Sequence, residues 1–162
     1  MFESERLISV KKITGEDVLK KNIMDLVLPL AEVAHVQTIN PLEHVLLVTM
    51  KTGYSAVPVI DKDNRLKGVI SHAMILNGIA STERYEYEKL SSSTVEELMD
   101  TQVPVLKSSD TLLTAVKMLT VRTFICVENE DGIVQGVLPR STVLKYLNHY
   151  LHGLSDERIQ QL

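Results

Sequence analysis

The chain states one pattern of landmarks twice, and this limits its fold more than any other feature. Residues 18–80 and 94–151 carry the same order. Each copy opens on a short helical segment holding Met-Asp, Ile23-Met24-Asp25 and Leu98-Met99-Asp100. A β-type run follows, Ala34 to Ile39 in the first copy and Val103 to Leu106 in the second. A turn and an amphipathic helix come next. A second β run is then read at Ala56 to Asp61 and at Phe124 to Glu128. After a polar turn, Gly68-Val69-Ile70-Ser71 and Gly136-Val137-Leu138-Pro139 lead into a closing helix. An internal repeat fixes the architecture before any single motif is read. Here it predicts an α/β (α+β) chain of two pseudo-symmetric β-α-β-β-α units, with any ligand in the cleft between them. Copies of roughly 60 residues each bury a marginal core alone, so the two are expected to fold as one body.

The order of elements can be read along the chain. Residues 1–14 read as a peripheral lead-in, and Gly15-Glu16-Asp17 precedes a helix to about Leu28, stopped by Pro29. Asn40 is expected to cap the helix that carries Leu42, Val45, Leu46, Thr49 and Met50, and Gly53 to end it. A helix over 72–80 closes the first repeat, which spans 15–80. Residues 81–93 are polar and read as the linker. The second repeat spans 94–151 and starts on a capping box, Thr94-Val95-Glu96-Glu97. Ser109-Asp110 is expected to cap its central helix, Glu130-Asp131-Gly132 to make its hairpin turn, and Gly153 to break its last helix. Residues 152–162 form a C-terminal tail.

Composition narrows the function. The net charge is −4, with acids and bases interspersed, which argues against a broad nucleic-acid footprint. Aromatic residues are scarce and Trp is absent, so stacking platforms for bases are few. The single cysteine, Cys126, lies in an apolar run and reads as a buried thiol, which suits the cytosol. The first six residues lack a basic stretch followed by an apolar core, and no apolar run is long enough to span a bilayer. A cytoplasmic protein with no membrane association is expected.

Catalytic motifs are missing from the sequence. No P-loop, GxGxxG or G-x-S-x-G elbow occurs. His149 and His152 lie one helical turn apart with no evident third ligand, so a solvated helix end is the reading rather than a metal site. No enzyme is expected, and no cofactor.

The phrases Gly53-Tyr54-Ser55-Ala56-Val57-Pro58-Val59-Ile60-Asp61 and Gly68-Val69-Ile70-Ser71 resemble a CBS repeat. The second copy is a weaker match, with Ile125 in place of the proline and Glu128 in place of the strand-ending Asp. The resemblance covers about 135 of the 162 residues. It implies an adenine-nucleotide cleft between repeats, one wall from the first strand and the Gly-x-Ser-x-x-Pro strand of one copy, the other from the segment after the last strand of its mate. Carried over, it assigns Ala34, His35, Val36, Tyr54, Ser55, Ala56, Val57 and Pro58 to one wall. Pro139, Arg140, Ser141 and Thr142 make the other. Small Ala34 and Ala56 admit a planar base, Ser55 and Thr142 supply hydroxyls, and Arg140 starts a helix where a phosphate can sit. His35 reads equally as a ligand contact or as an ordinary strand residue. The mirror cleft would combine Val103-Pro104-Val105 and Arg122-Thr123-Phe124-Ile125 with Ser71-His72-Ala73-Met74, and is expected to be degenerate.

Nucleotide-binding CBS pairs commonly place an Asp three residues after a Ser or Thr to hold ribose hydroxyls. Here the positions read Ser71 to Met74 and Pro139 to Thr142, without a carboxylate. That weakens an AMP, ADP or ATP energy sensor and favours a ligand richer in phosphate near the ribose. Val33-Ala34-His35-Val36-Gln37, Leu42-Glu43-His44 and Lys51-Thr52-Gly53-Tyr54 are similar to the small stand-alone CBS proteins of Gram-positive bacteria that sense cyclic di-AMP. This resemblance implies regulation of a (p)ppGpp synthetase or of pyruvate carboxylase, and a homodimer built partly by apolar residues of 41–52 and 111–121. A ligand-free interaction module is the remaining alternative. The sequence Glu83-Arg84-Tyr85-Glu86-Tyr87-Glu88-Lys89 reads as a solvated linker or as a partner surface.

Overall fold

The computed structural model describes residues 14–159, with side chains described as far as Gly153. The lead-in of residues 1–13 and the last three residues of the tail lie outside the described residues. The order is α1 (Gly15–Leu19), β1 (Leu28–Pro29), α2 (Leu42–Thr52), β2 (Ala56–Ile60), β3 (Leu66–Ser71) and α3 (His72–Ile79), then α4 (Lys89–Ser92) and α5 (Val95–Leu98). The second unit continues with β4 (Val105–Lys107), α6 (Leu112–Leu119), β5 (Phe124–Glu128), β6 (Val134–Pro139) and α7 (Arg140–Ile159). Two repeats of mixed α/β structure pack as a pair, as the repeated landmarks predict.

Each repeat lends its opening segment to the other. The strand β1 pairs antiparallel with β6, so one sheet runs β1-β6-β5-β4, while β2 and β3 form the other. In mirror fashion Asp100 bridges to Val69 on β3. The side chains follow the backbone. Val18 and Ile23 belong to the second repeat's core with Leu106, Leu112, Ile125, Val127 and Leu138. Val95 belongs to the first repeat's core with Val36, Leu42, Val57, Ile70 and Ile75, and Leu98 and Met99 pack against it. Neither core is complete within one copy, which is why the two fold as one body.

The exchange also corrects three expected caps and helices. The helix expected up to Leu28 stops at Leu19, and a 3-10 turn takes Ile23–Leu26. The backbone there is committed to the second repeat: Lys21 O accepts from Leu112 N–H at 2.8 Å, and Ile23 N–H donates to Asp110 O at 3.3 Å. Neither Ser109 nor Asp110 caps α6. Thr111 sits at the cap, and the Asp110 carboxylate instead accepts from Lys107 N–H at 2.7 Å. Nor does Asn40 cap α2, because its carboxamide accepts from Gln37 N–H at 2.7 Å. Leu42 N–H donates to Ser93 O at 3.2 Å, the mirror of the Leu112–Lys21 bond. A carbonyl from the opposite repeat's opening segment thus takes a helix N–H that a side chain was expected to serve.

The strand expected over 34–39 shrinks to one parallel bridge between Val36 and Val59. Pro58 has no N–H to extend the ladder on one side. On the other, the Asn40 side chain and a Gln37–Asn40 turn draw the chain away. In the second copy the strand register puts Cys126, not Ile125 as expected, at the place of Pro58, and β4 makes a ladder along Val105–Lys107. The two hairpin turns match closely. Asn64 and Gly132 hold the same left-handed position at φ 58° and 75°. Gly53 ends α2 at φ 75°, as expected. Thr94 and Glu97 form the expected capping box, with Thr94 N–H donating to the carboxylate at 2.9 Å. The last helix does not break at Gly153 but runs on to Ile159. One glycine in a helix interior costs about 1 kcal/mol, too little to outweigh propagation of a helix already nucleated on the core.

Two glycines permit the exchange. A Cβ on Gly136 would stand 1.9 Å from Leu28 O, and one on Gly68 would stand 2.5 Å from Asp100 O. Both clashes are with backbone, which cannot swing aside. Gly136→Ala is expected to destabilise the chain by about 2–4 kcal/mol in urea unfolding, because the strand pair must separate. Gly15→Ala, in open space, is the neutral control.

Cys126 is buried on β5, and burial pushes its thiol up to about 12. A raised folded value keeps its stabilising share intact below the ordinary thiol range and loses it as pH climbs toward that value. At pH 8.5 iodoacetamide is expected to label the native protein on the order of a hundredfold more slowly than the urea-unfolded chain.

Candidate functional site

The main cavity lies between the repeats and has a volume of about 330 Å3. One wall is the turn after α2 and the start of β2, contributing Gly53, Tyr54, Ser55, Ala56 and Pro58. The other is the junction of β6 and α7, contributing Pro139, Arg140 and Ser141. Small residues at 34 and 56 leave the space open, and most of the surface is apolar, the usual make-up of a small-molecule site.

The cavity therefore gathers eight of the residues the sequence marked: Ala34, Tyr54, Ser55, Ala56, Pro58, Pro139, Arg140 and Ser141. Four others do not line it. Val36 and Val57 are buried in the first repeat's core, behind the wall. His35 is exposed, and its Nδ1 lies 2.9 Å from Val33 O, so that nitrogen carries a proton and donates. Thr142 is half-buried on α7, away from the lining.

Sequence reasoning missed Leu28, Val33, Thr123, Phe124 and Val137. Thr123 and Phe124 were assigned to the mirror cleft, and the register explains why they line this one. Phe124 pairs with Pro139 across β5 and β6, and Arg140 N–H donates to Thr123 O at 2.8 Å. Leu28 arrives through the β1–β6 exchange. The antiparallel hairpin of the second copy was a usable signal for Phe124. The exchange left none for Leu28.

Arg140 is the first residue of a 20-residue helix, where free N–H groups and the helix dipole favour an anion. It is half-buried. Among the described residues its guanidinium has neither an ion-pair nor a hydrogen-bond partner. The other arginines with described side chains are engaged: Arg65 on Asp131 O at 2.9 Å, Arg84 on Glu88, and Arg122 on Asp100 at 4.0 Å. Its stem borders an apolar crevice with Val116, Leu119, Val143 and Leu147, so the residue is held by packing while its charge is left unmatched.

The mirror cleft is built differently at each equivalent position. His72 takes the place of Arg140, and its N–H donates to Ser55 O at 3.1 Å as Arg140 N–H donates to Thr123 O. Its ring turns inward. Thr49 is fully buried and donates its hydroxyl to Val45 O at 2.7 Å, so Nε2 of His72, against the same oxygen, carries a proton and donates. Arg122, in the place of Tyr54, faces Asp100. Phe124 stands at the place of Ala56 but lines the main cavity. In the mirror cleft Arg122 faces Asp100 and the His72 ring is turned onto Thr49.

Among the described residues no group of three or more His, Cys, Asp or Glu is placed to hold a metal ion. None of their helices is long and apolar enough to cross a membrane.

A pseudo-symmetric α/β pair with an open cavity between its repeats has the architecture of a ligand-binding module. The chain belongs to the CBS domain family, whose model matches residues 23–81 and 95–149. It is 41% identical over 143 residues to the cyclic di-AMP receptor B of Bacillus subtilis (strain 168), covering 88% of this chain and 97% of that protein. A CBS domain-containing protein of unknown function from Bacillus anthracis superposes with a TM-score of 0.78 at 45% identity, covering 84% of this chain and 99% of the other. The CbpB protein of Listeria monocytogenes, solved in complex with c-di-AMP, superposes with a TM-score of 0.76 at 40% identity, over 82% of this chain and 98% of that one.

An arginine without a partner adds little to folding. Arg140→Met, which keeps the stem on the crevice, is expected to shift unfolding free energy by less than about 0.5 kcal/mol in urea. Ile70→Ala, in the buried core, should cost about 2–5 kcal/mol in the same experiment.

Proposed function

We propose that the chain is a non-enzymatic receptor that holds one cyclic di-AMP in the inter-repeat cavity and modulates a protein partner. The unmatched charge of Arg140 at the start of α7, beside an apolar cavity with small walls, carries this reading. A phosphodiester supplies the missing counter-charge, and adenine supplies a flat apolar face for Ala34, Ala56, Pro58 and Tyr54. Ser55 and Ser141 offer hydroxyls to ring nitrogens or phosphate oxygens. His35, Val36, Val57 and Thr142 support the site from outside the lining, Val36 and Val57 by packing behind the wall. The likeness to a receptor and to a structure named for cyclic di-AMP supports the same ligand. The carboxylate that would clamp a mononucleotide ribose is replaced by Met74 and Thr142, which separates this site from AMP and ATP sensing.

Signalling follows from linkage. A ligand shifts a partner complex only through different affinities for its two states. In this reading the receptor acts in the cytoplasm as a homodimer, with exposed Leu47 and Met50 on α2 and Leu113 on α6 at the contact. The resemblance read from the sequence points to a (p)ppGpp synthetase or pyruvate carboxylase as the regulated protein.

Calorimetric titration with cyclic di-AMP, AMP and ATP in parallel tests the proposal. Binding near one cyclic di-AMP per chain is expected, and Arg140→Met should weaken it by about 10- to 100-fold, the worth of a charge-assisted bond. At a hundred times its dissociation constant the ligand should stabilise the fold by about 2.7 kcal/mol. Tighter binding of AMP or ATP would move the function to energy sensing. No heat and no stabilisation with any of the three would leave a ligand-free interaction module.

A further inference from the structure

The segment joining the repeats is built as a fixed knuckle. Ser81 N–H donates to Arg84 O at 2.9 Å, and the Ser81 hydroxyl donates to the same carbonyl at 2.7 Å. Arg84 N–H returns a bond to that hydroxyl at 3.1 Å, and Glu86 N–H donates to Ile79 O at 2.7 Å. Ala80 and Tyr85 form a bridge across its base. A chain held this tightly loses little entropy on binding.

The knuckle presents two tyrosines to solvent. Tyr85 is 48% exposed and Tyr87 63%, with ring centroids 6.1 Å apart and planes inclined at 39°. Aromatic residues are rare in this chain, and two of its five tyrosines stand side by side here without covering any core. Tyrosine gives large contact area at small rotamer cost and is enriched where protein partners bind most strongly.

The charge around the rings selects the partner. From Glu83 to Glu97 five acids stand against two bases, so three of the chain's four excess negative charges lie in this stretch. Both bases are already engaged, Arg84 by Glu88 and Lys89 by Glu86. Glu83 and the exposed parts of both rings are left for an incoming cation. The surface shares no lining residue with the nucleotide cavity.

We propose that Tyr85 and Tyr87 form a docking surface for an arginine-bearing segment of a partner protein. Guanidinium groups stack on the ring faces, and the neighbouring glutamates supply the opposite charge. The acidic surround excludes nucleic acid and anionic lipid as occupants.

Fluorescence anisotropy with a labelled peptide of alternating arginine and serine tests this on the full chain. Lysine-serine and glutamate-serine peptides serve as comparisons. The arginine peptide is expected to bind about fivefold or more tightly than the lysine peptide, and the glutamate peptide not at all. Tyr85→Ser/Tyr87→Ser should abolish that arginine preference while the melting temperature holds. Three results would each overturn the proposal: equal affinity in the double variant, equal affinity for the lysine peptide, or no binding of the arginine peptide. The signal does not depend on cyclic di-AMP, so failure here and failure of the receptor reading are separate results.

Discussion

The structure rests on a reciprocal exchange of backbone between the repeats. Leu28 lies against Gly136 with no room for a side-chain atom, and Asp100 lies against Gly68 in the same way. Around these contacts the opening segment of each copy satisfies the other: Lys21 O takes the first N–H of α6, and Ser93 O takes that of α2. Buried backbone groups must be paired, and a single copy cannot pair its own. The exchange therefore makes one cooperative unit from two halves, each of which would bury a marginal core alone.

This arrangement also creates the site and its asymmetry. Pairing through a pseudo-twofold relation yields two related clefts, and the side chains at matched positions decide what each does. Arg140 and His72 begin matching helices and make matching backbone bonds to Thr123 and Ser55. His72 is drawn onto buried Thr49, while Arg140 keeps its charge unmatched at the edge of an open cavity. Burying part of an arginine without a counter-ion is unfavourable, and an anionic ligand removes that cost.

The site and the linker knuckle divide the molecule's outward chemistry. The cavity sits where the second repeat's last strand meets the first repeat's β2, and its donors are a cation and hydroxyls. The knuckle lies beyond the end of α3, aromatic and acidic, and is held by its own hydrogen bonds. Opposite charge and separate lining let the two surfaces meet different molecules. A ligand in the first changes events at the second only if it binds two states of the protein with different affinity.

The repeat, the α/β class, the helices over 42–52 and 72–79, both hairpins and the two main walls of the cavity were legible in the sequence. The elements rest on local signals such as periodicity, the turn at Gly132 and Gly53 after α2, whereas the walls rest on the resemblance to a CBS repeat. The short α1, the single bridge at Val36 and the caps of α2 and α6 were not legible. In each case a backbone group prefers a distant partner, and no side-chain pattern records that choice. Leu28 lines the cavity for the same reason, since it reaches β6 through the exchange. Val57 alternates with the cavity residues Ala56 and Pro58 along β2, and only the packed sheet decides which face is core. The sequence by itself determined that two like units would share a cleft, and its resemblance to CBS repeats put Arg140 at the edge. The tertiary structure alone decided which repeat completes which core and which side chains line the cavity. Those choices depend on contacts between residues roughly 30 to 110 positions apart, Val69 with Asp100 and Leu28 with Val137 among them, and no local pattern carries information over that range.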